Sequence, residues 1–153
     1  VLLVKKICEL IESGADFETV VEKAELYSRH THVVFALSSF NNLVKNGRMS
    51  KIVGFVANKL GFWGIGIGSE QGTIEIKQKI RGSKKALDAI IEDMKERGYN
   101  CGKVVISHCR NAEFAESVKS AIQSVWDKAE VKIVHARGLC SYYAEKGGLI
   151  IGF

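Results

Sequence analysis

The fold is decided by residues 62–94, which read FWGIGIGSEQGTIEIKQKIRGSKKALDAIIEDM. Two apolar runs rich in isoleucine flank a loop of hairpin composition at 69–72. From Ser83 onwards the apolar positions recur every three or four residues, as on one face of a helix. The stretch therefore predicts a β-hairpin followed directly by an amphipathic helix.

The second strand of this hairpin has two chemically different faces. Because successive side chains of a strand point to opposite faces, we expect its isoleucines to face the core and its charged residues to face solvent. The isoleucines are Ile74, Ile76 and Ile80, and the charged residues are Glu75, Lys77, Lys79 and Arg81.

Helical and strand-like segments alternate on both sides of the hairpin. Short apolar runs predict strands at 32–37, 103–107, 131–135 and 148–153. Helical periodicity with a capping residue predicts helices that begin after Asp16, Ser39, Ser50, Ser83 and Asn111, besides a first helix that ends at Gly14. This order predicts a two-layer α/β domain with a mixed, parallel and antiparallel sheet of about six strands covered by helices.

Composition narrows the class of protein. The chain has 153 residues, a formal net charge of +5 and no proline, which excludes a proline-rich linker or a cis-proline turn. No window approaches the roughly 18 apolar residues of a membrane helix, so we expect a cytoplasmic protein. The positive charge favours an anionic partner without identifying it.

The four cysteines form no C-x-x-C pair, and we expect buried, reduced thiols and no metal site.

The run Gly64-Ile65-Gly66-Ile67-Gly68 invites comparison with a dinucleotide-binding loop. Its spacing does not match G-x-G-x-x-G, because Gly72 comes one residue too late and a hairpin follows where a helix is needed. We interpret the glycines as positions where another group packs closely on the strand. The sequence contains no other standard enzyme signature.

Two predicted helix starts combine cations with free backbone N–H groups, an arrangement that suits a carboxylate or a phosphate. Arg48 precedes the helix capped by Ser50, and the alternative interpretation is an exposed arginine beside an ordinary cap. Lys84 and Lys85 occupy a first helical turn, where the helix dipole disfavours cations. Solvated lysines are the alternative at that position. Near the C-terminus, the Tyr143 phenol either reaches into a cleft or packs at the end of the sheet.

The order of several segments resembles the DegV family. These segments are Leu43-Val44-Lys45-Asn46-Gly47-Arg48, Glu70-Gln71-Gly72, Lys79-Ile80-Arg81-Gly82-Ser83-Lys84-Lys85-Ala86-Leu87 and the glycine-rich finish Gly147 to Phe153. The chain is similar to the C-terminal half of such proteins, and its abrupt start at Val1 leads us to expect further sequence before it. The resemblance implies a helical segment at residues 1–30, at the junction with an N-terminal domain, and a lipid-binding domain at 31–153.

The resemblance also implies a function. DegV-like proteins bind a fatty acid between two domains, and several present its carboxylate to a fatty acid kinase without supplying the kinase chemistry. On this basis the chain is expected to be a carrier of a long-chain fatty acid, not an enzyme, with no cofactor. Arg48 corresponds to the family arginine that holds the carboxylate. Tyr143 stands where the family motif G-T-H-T-G-P-G has histidine, and a phenol donates a hydrogen bond but carries no charge near neutral pH.

The expected ligand-binding set consists of these two residues and an apolar lining. The lining is Phe40, Leu43, Val53, Val56, Ile65 and Ile67, and the partner-docking set is Lys77, Lys79, Arg81, Lys84 and Lys85. Two alternatives remain: a small enzyme that acts on an anionic metabolite with Tyr143 as the acid, and a basic docking or nucleic-acid-binding module.

Overall fold

The computed structural model describes residues 1–49, 61–69 and 74–153. The helices are α1 (Leu2–Glu12), α2 (Phe17–Arg29), α3 (Asn41–Lys45), α4 (Ser83–Glu96), α5 (Ala112–Val125) and α6 (Gly138–Ala144). The strands are β1 (Val33–Leu37), β2 (Phe62–Gly68), β3 (Ile74–Arg81), β4 (Lys103–His108), β5 (Glu130–His135) and β6 (Leu149–Gly152). The helix expected after Ser50 and the loop Glu70-Gln71-Gly72 lie outside the described residues.

The strands form one six-stranded sheet in the order β3-β2-β1-β6-β4-β5. The pair β4 and β5 is parallel, and the other four pairs are antiparallel. The mixed α/β sheet predicted from the sequence is therefore confirmed. Strands β1 and β6 lie at its centre, so their ends bring distant parts of the chain together.

One face of the sheet is covered by the long helices α4 and α5. Here the alternate residues Val34, Ala36, Val104 and Ile106 are fully buried against both helices. Trp63 extends this core at the edge, where its ring lies 4.7 Å from that of Phe114. Burial of this apolar area is the main stabilising contribution to the domain.

The opposite face carries a smaller apolar cluster beneath the short helices α3 and α6. Its buried members are Phe35, Leu37, Phe40, Leu43 and Ala144. The glycines of β2 make room for it, since a Cβ at Gly64 would overlap the Phe40 ring and one at Gly66 would lie 2.5 Å from the Phe35 ring. The interpretation of these glycines as packing positions is confirmed.

The prediction that the three isoleucines of β3 face the same side of the sheet is wrong, because a β-bulge interrupts the strand. Ile76 pairs with Gly66 while Gln78 pairs with Ile65, so Lys77 is the extra residue. The insertion shifts the side-chain alternation by one residue. Ile76 consequently packs on the cluster around Phe35, whereas Ile80 packs on the larger core under α4.

The bulged residue Lys77 is directed to α4, where its Nζ lies 3.2 Å from Asp93 and 3.3 Å from Glu96. The hydrogen bond to buried Asp93 raises the pKa of Lys77 above its ordinary value. Arg97 holds the other carboxylate oxygen of Asp93 at 2.9 Å. A buried carboxylate with two cationic partners thus ties the edge strand to the helix layer.

Only some of the residues predicted to cap the described helices do so in the structure. Asp16 caps α2 by accepting the Thr19 N–H at 2.8 Å, which confirms that prediction. Ser83 and Ser39 are not the N-cap residues, since α4 has Gly82 at this place and α3 has Phe40. Asn111 does precede α5, but its side-chain amide donates to the Gly147 carbonyl instead.

The cysteine prediction is half right. All four thiols are free, as expected, but Cys8, Cys101 and Cys140 are exposed and Cys109 is half-buried. The expectation of burial is wrong because it relied on apolar neighbours in sequence, whereas Cys8, for example, occupies the outward face of an amphipathic helix.

Candidate functional site

Arg48 is placed by the turn that ends α3. The Gly47 N–H donates to the Val44 carbonyl at 3.1 Å, and the Arg48 N–H donates to the Leu43 carbonyl at 2.9 Å. This tight ending requires a positive φ, which Gly47 adopts at 67°. The turn fixes the backbone of Arg48 and leaves its side chain exposed.

Arg48 and Tyr143 are 95 positions apart in the chain and meet through their side chains. The Nε–H of Arg48 donates to the Tyr143 hydroxyl oxygen at 2.8 Å. The guanidinium carbon also lies 5.0 Å from the centre of the phenol ring, within cation–π range. Because the hydroxyl accepts from the arginine, its own proton is available to an anion.

The remaining guanidinium N–H groups make no hydrogen bond to another described residue. They and the phenolic proton form a set of donors beside a positive charge. Such a set binds a carboxylate well, since hydrogen bonds to ionised groups are roughly twice as strong as those between neutral groups. The structure thus brings together the two polar residues that the sequence singled out.

An apolar floor lies directly beneath this pair. Phe40 and Leu43 are 0% exposed, and Ala144, adjacent to Tyr143 in α6, is 1% exposed. Met49 and Tyr143 itself pack against them. Phe40 and Leu43 therefore support the pair from below.

An apolar groove with a volume of ≈ 320 Å³ lies on the same face of the sheet. It begins one helical turn from the polar pair, because its residue Cys140 is three positions before Tyr143 on α6. Its other main lining residues are Leu2, Leu3, Val33, Val105 and Ile150. Ile150 also packs against the floor, so the floor and the groove are continuous.

The remaining expected lining residues are elsewhere. Ile65 belongs to the core on the face covered by α4 and α5, and Ile67 pairs with Val34 of the same face. Val53 and Val56 lie outside the described residues.

Several residues of the small cluster were not expected from the sequence, namely Phe35, Leu37, Met49, Ile76, Ala144 and Ile150. For Phe35 and Leu37, the two that belong to β1, the sequence does contain a signal. A fully apolar strand has two buried faces, so its alternate residues must serve a second cluster.

The expected docking cations do not share one surface. Lys79 pairs with Gly64 and Arg81 with Phe62, which places both on the sheet face of the Arg48 pair. Lys84 and Lys85 are exposed in the first turn of α4. Lys77 is on the opposite side, engaged with Asp93.

A buried histidine anchors the connection between α6 and β6. His108 is 3% exposed, and its Nδ1 accepts the Asn111 N–H at 3.1 Å. The Asn111 side chain in turn donates to the Gly147 carbonyl at 2.7 Å. Burial, together with the nearby His135, lowers the pKa of His108 below its ordinary value.

Among the described residues, no group of three or more His, Cys, Asp or Glu side chains is arranged to hold a metal ion. No helix within residues 1–49, 61–69 and 74–153 has the length and apolar character needed to cross a membrane.

The model of the DegV family matches residues 1–153. The chain belongs to the DegV family. A DegV domain-containing protein of Streptococcus pyogenes serotype M1 is 43% identical over 152 residues, which cover 99% of this chain and 54% of that protein. The chain thus spans about half the length of the curated relatives it matches. The resemblance proposed from the sequence is confirmed.

Two solved structures agree with this fold and are described as loaded with a fatty acid. The Fatty Acid Kinase (Fak) B3 protein of Streptococcus pneumoniae, loaded with linoleic acid, is 41% identical with a TM-score of 0.95, over 99% of this chain and 54% of that one. A DegV family protein from Eubacterium eligens, loaded with heptadecanoic acid, is 36% identical with a TM-score of 0.95, over 99% of this chain and 55% of that one.

Proposed function

We propose that this chain provides the carboxylate-holding wall of a fatty-acid site, and that the protein carries a long-chain fatty acid for a fatty acid kinase. The observation that carries the proposal is the hydrogen bond between Arg48 and Tyr143 above an apolar floor. The similarity to two proteins described as loaded with linoleic and heptadecanoic acid supports it.

In this function the polar pair binds the head group. The guanidinium of Arg48 donates to the carboxylate and supplies the compensating charge, and the Tyr143 hydroxyl donates its proton to the same group. The acyl chain lies against the sheet, along the groove that contains Val33 and Ile150.

The two parts of the ligand contribute differently to binding. Burial of about 14 methylenes is worth roughly 11 kcal/mol before the costs of association, at about 0.8 kcal/mol each. A charge-assisted hydrogen bond contributes about 1.5–3 kcal/mol. The chain therefore supplies most of the affinity, and the pair selects a carboxylate and fixes where it lies.

Delivery to a kinase requires a docking surface near the head group. We assign this role to Lys79 and Arg81, the cations of the docking set that lie on the sheet face of the Arg48 pair. Charge reversal at Lys79 and Arg81 should lower the rate of phosphorylation of the bound fatty acid and leave its affinity unchanged. Unchanged phosphorylation would remove the assignment. In this role the chain binds and presents the fatty acid, and the partner performs the phosphoryl transfer.

The test of the binding proposal compares Arg48→Ala with Lys132→Ala in the full-length protein. Lys132 is an exposed cation on the edge strand β5, remote from the pair in the sheet order. Arg48→Ala should weaken the binding of oleic acid by roughly ten- to a hundredfold. Lys132→Ala should leave it unchanged.

Oleyl alcohol, measured by the same titration, separates head group from chain. It keeps the chain and lacks the carboxylate, so Arg48→Ala should hardly affect its affinity. Equal losses in the two variants, or equal losses for acid and alcohol, would overturn the assignment of Arg48. Absence of any acyl ligand in native mass spectra of the protein purified from bacteria would count against the carrier function itself.

A further inference from the structure

Glu145 has an unusual backbone conformation at the end of α6. Its φ is 52° and its ψ is 176°, a region that side-chain-bearing residues rarely adopt. Arg110, with φ 52°, is the other such non-glycine residue among those described. A glycine would be free of strain at either place, so retention of a glutamate points to a role for its side chain.

The carboxylate of Glu145 closes the N-terminus of α3. Its Oε1 accepts the Asn42 N–H at 2.7 Å, and its Oε2 accepts the Ser39 hydroxyl at 2.6 Å. The N-cap residue of α3 is Phe40, whose ring offers no oxygen for this purpose. A residue 103 positions away along the chain thus performs the capping.

Two further hydrogen bonds join the same helices. The Asn42 side-chain amide donates to the Tyr142 carbonyl at 2.7 Å, and the Asn46 amide donates to the Tyr142 hydroxyl at 3.0 Å. Arg48 follows α3 by three residues, and Tyr143 precedes Glu145 by two. The distance between Arg48 and Tyr143 is therefore set by the position of α3 relative to α6.

We propose that Glu145 is the positioning residue of the head-group site: its carboxylate ties α3 to α6 and thereby holds Arg48 in hydrogen-bonding distance of Tyr143. This rests on the function proposed above. Binding groups must be held to within about 0.5 Å to keep their geometry, which explains why a strained residue is tolerated here. Loss of the tie leaves the apolar groove intact and loosens the carboxylate donors.

The test measures carboxylate preference, the ratio of affinities for oleic acid and oleyl alcohol, in the full-length protein. Glu145→Gly removes the carboxylate and relieves the strain, so the preference should fall about tenfold. The affinity for the alcohol and the melting temperature should stay near those of the parent. Arg110→Gly is the control, because it also replaces a non-glycine residue of positive φ by glycine but lies outside α3 and α6, and it should keep the preference.

A double-mutant cycle with Arg48→Ala distinguishes positioning from a general structural effect. If Glu145 acts through Arg48, Glu145→Gly should change the preference little once Arg48 is absent. Should Glu145→Gly not fold, Glu145→Gln keeps the backbone and one acceptor and should lower the preference several-fold.

An unchanged preference in the Glu145 variants, or a loss that is additive with Arg48→Ala, would overturn the positioning role alone. A parent protein with no carboxylate preference, or one insensitive to Arg48→Ala, would instead overturn the function on which the role depends. The two failures are therefore distinguishable.

Discussion

The two faces of the sheet are built in different ways. The face under α4 and α5 is closed by two helices of 14 residues each, and its central side chains are fully buried. Around Arg48 the other face is closed by α3, with five residues, and α6, with seven, while α1 covers the far end of that face through Leu2. Helices this short gain little stability from their own backbone hydrogen bonds.

The short helices are instead fixed by hydrogen bonds between distant residues. Ser39, Asn42 and Asn46 on one side meet Tyr142 and Glu145 on the other, at 2.6–3.0 Å. Ligand geometry is thus set on the face of the short helices, whereas the helix-covered face contributes stability alone. We expect substitutions on the two faces to separate these properties.

The largest expected effect comes from truncation of a buried aliphatic residue on each face. Ile106 of the helix-covered face and Leu43 of the ligand face are both 0% exposed. Substitution of either by alanine should lower the free energy of unfolding by about 2–5 kcal/mol, because a cavity remains. Urea unfolding followed by circular dichroism measures this loss.

Fatty-acid titration at a temperature where both variants are folded then tests the difference between the faces. Leu43→Ala should also weaken oleic acid binding, since Leu43 supports Arg48, whereas Ile106→Ala should not. Comparable weakening of oleic acid binding by both variants would mean that the two faces are coupled. The assignment of ligand geometry to one face alone would then be wrong.

A smaller effect is expected from the glycines of β2. Gly64→Ala should lower the free energy of unfolding by about 1–3 kcal/mol, because the new methyl group overlaps the buried Phe40 ring. Gly68 is the matched control on the same strand, since a Cβ there would lie 3.5 Å from Val33, an ordinary contact. Gly68→Ala should change stability by less than about 0.5 kcal/mol.

The same pair of variants sharpens the comparison of the faces. Displacement of Phe40 moves the start of α3, so Gly64→Ala should also reduce the preference for oleic acid over oleyl alcohol. Equal stabilities of the two alanine variants would show that the Phe40 ring adapts freely, contrary to its role as part of a fixed floor.

Much of the helix-covered face was predictable from the sequence. Helical spacing at Leu87, Ile90 and Met94 and the apolar runs of the central strands depend on local patterns, which survive folding unchanged. The glycine interpretation succeeded for the same reason: a glycine within a strand indicates close approach, even when the approaching group is unknown.

The ligand face was predictable only in part, because its contacts are not local. Resemblance to a family identified Arg48 and Tyr143, but no periodicity connects positions 95 apart. The bulge at Lys77 reverses the alternation in the middle of β3 and leaves no mark on the pattern of residue types. The role of Glu145 was not predictable from the sequence, because neither its conformation nor its partners can be inferred from neighbouring residues.

The smallest expected effect concerns pH and the anchor of the ligand face at His108. The folded protein holds His108 neutral, with a lowered pKa, so between that pKa and about 6.5 the unfolded chain binds more protons. The free energy of unfolding should therefore fall as the pH drops below about 6.5. The reason is that burial and the nearby His135 disfavour the charged imidazole. A protonated Nδ1 also no longer accepts the Asn111 N–H, which loosens the hold on Gly147.

Thermal melts between pH 7.5 and 5 measure this dependence, and His108→Gln should make it shallower. Some dependence should remain, because burial also lowers the pKa of His32. Gln123→Ala, at an exposed residue of α5 that does not titrate, is the control and should leave the slope as in the parent. If His108→Gln keeps the full slope, the acid sensitivity arises elsewhere, and the connection between α6 and β6 does not depend on a neutral His108.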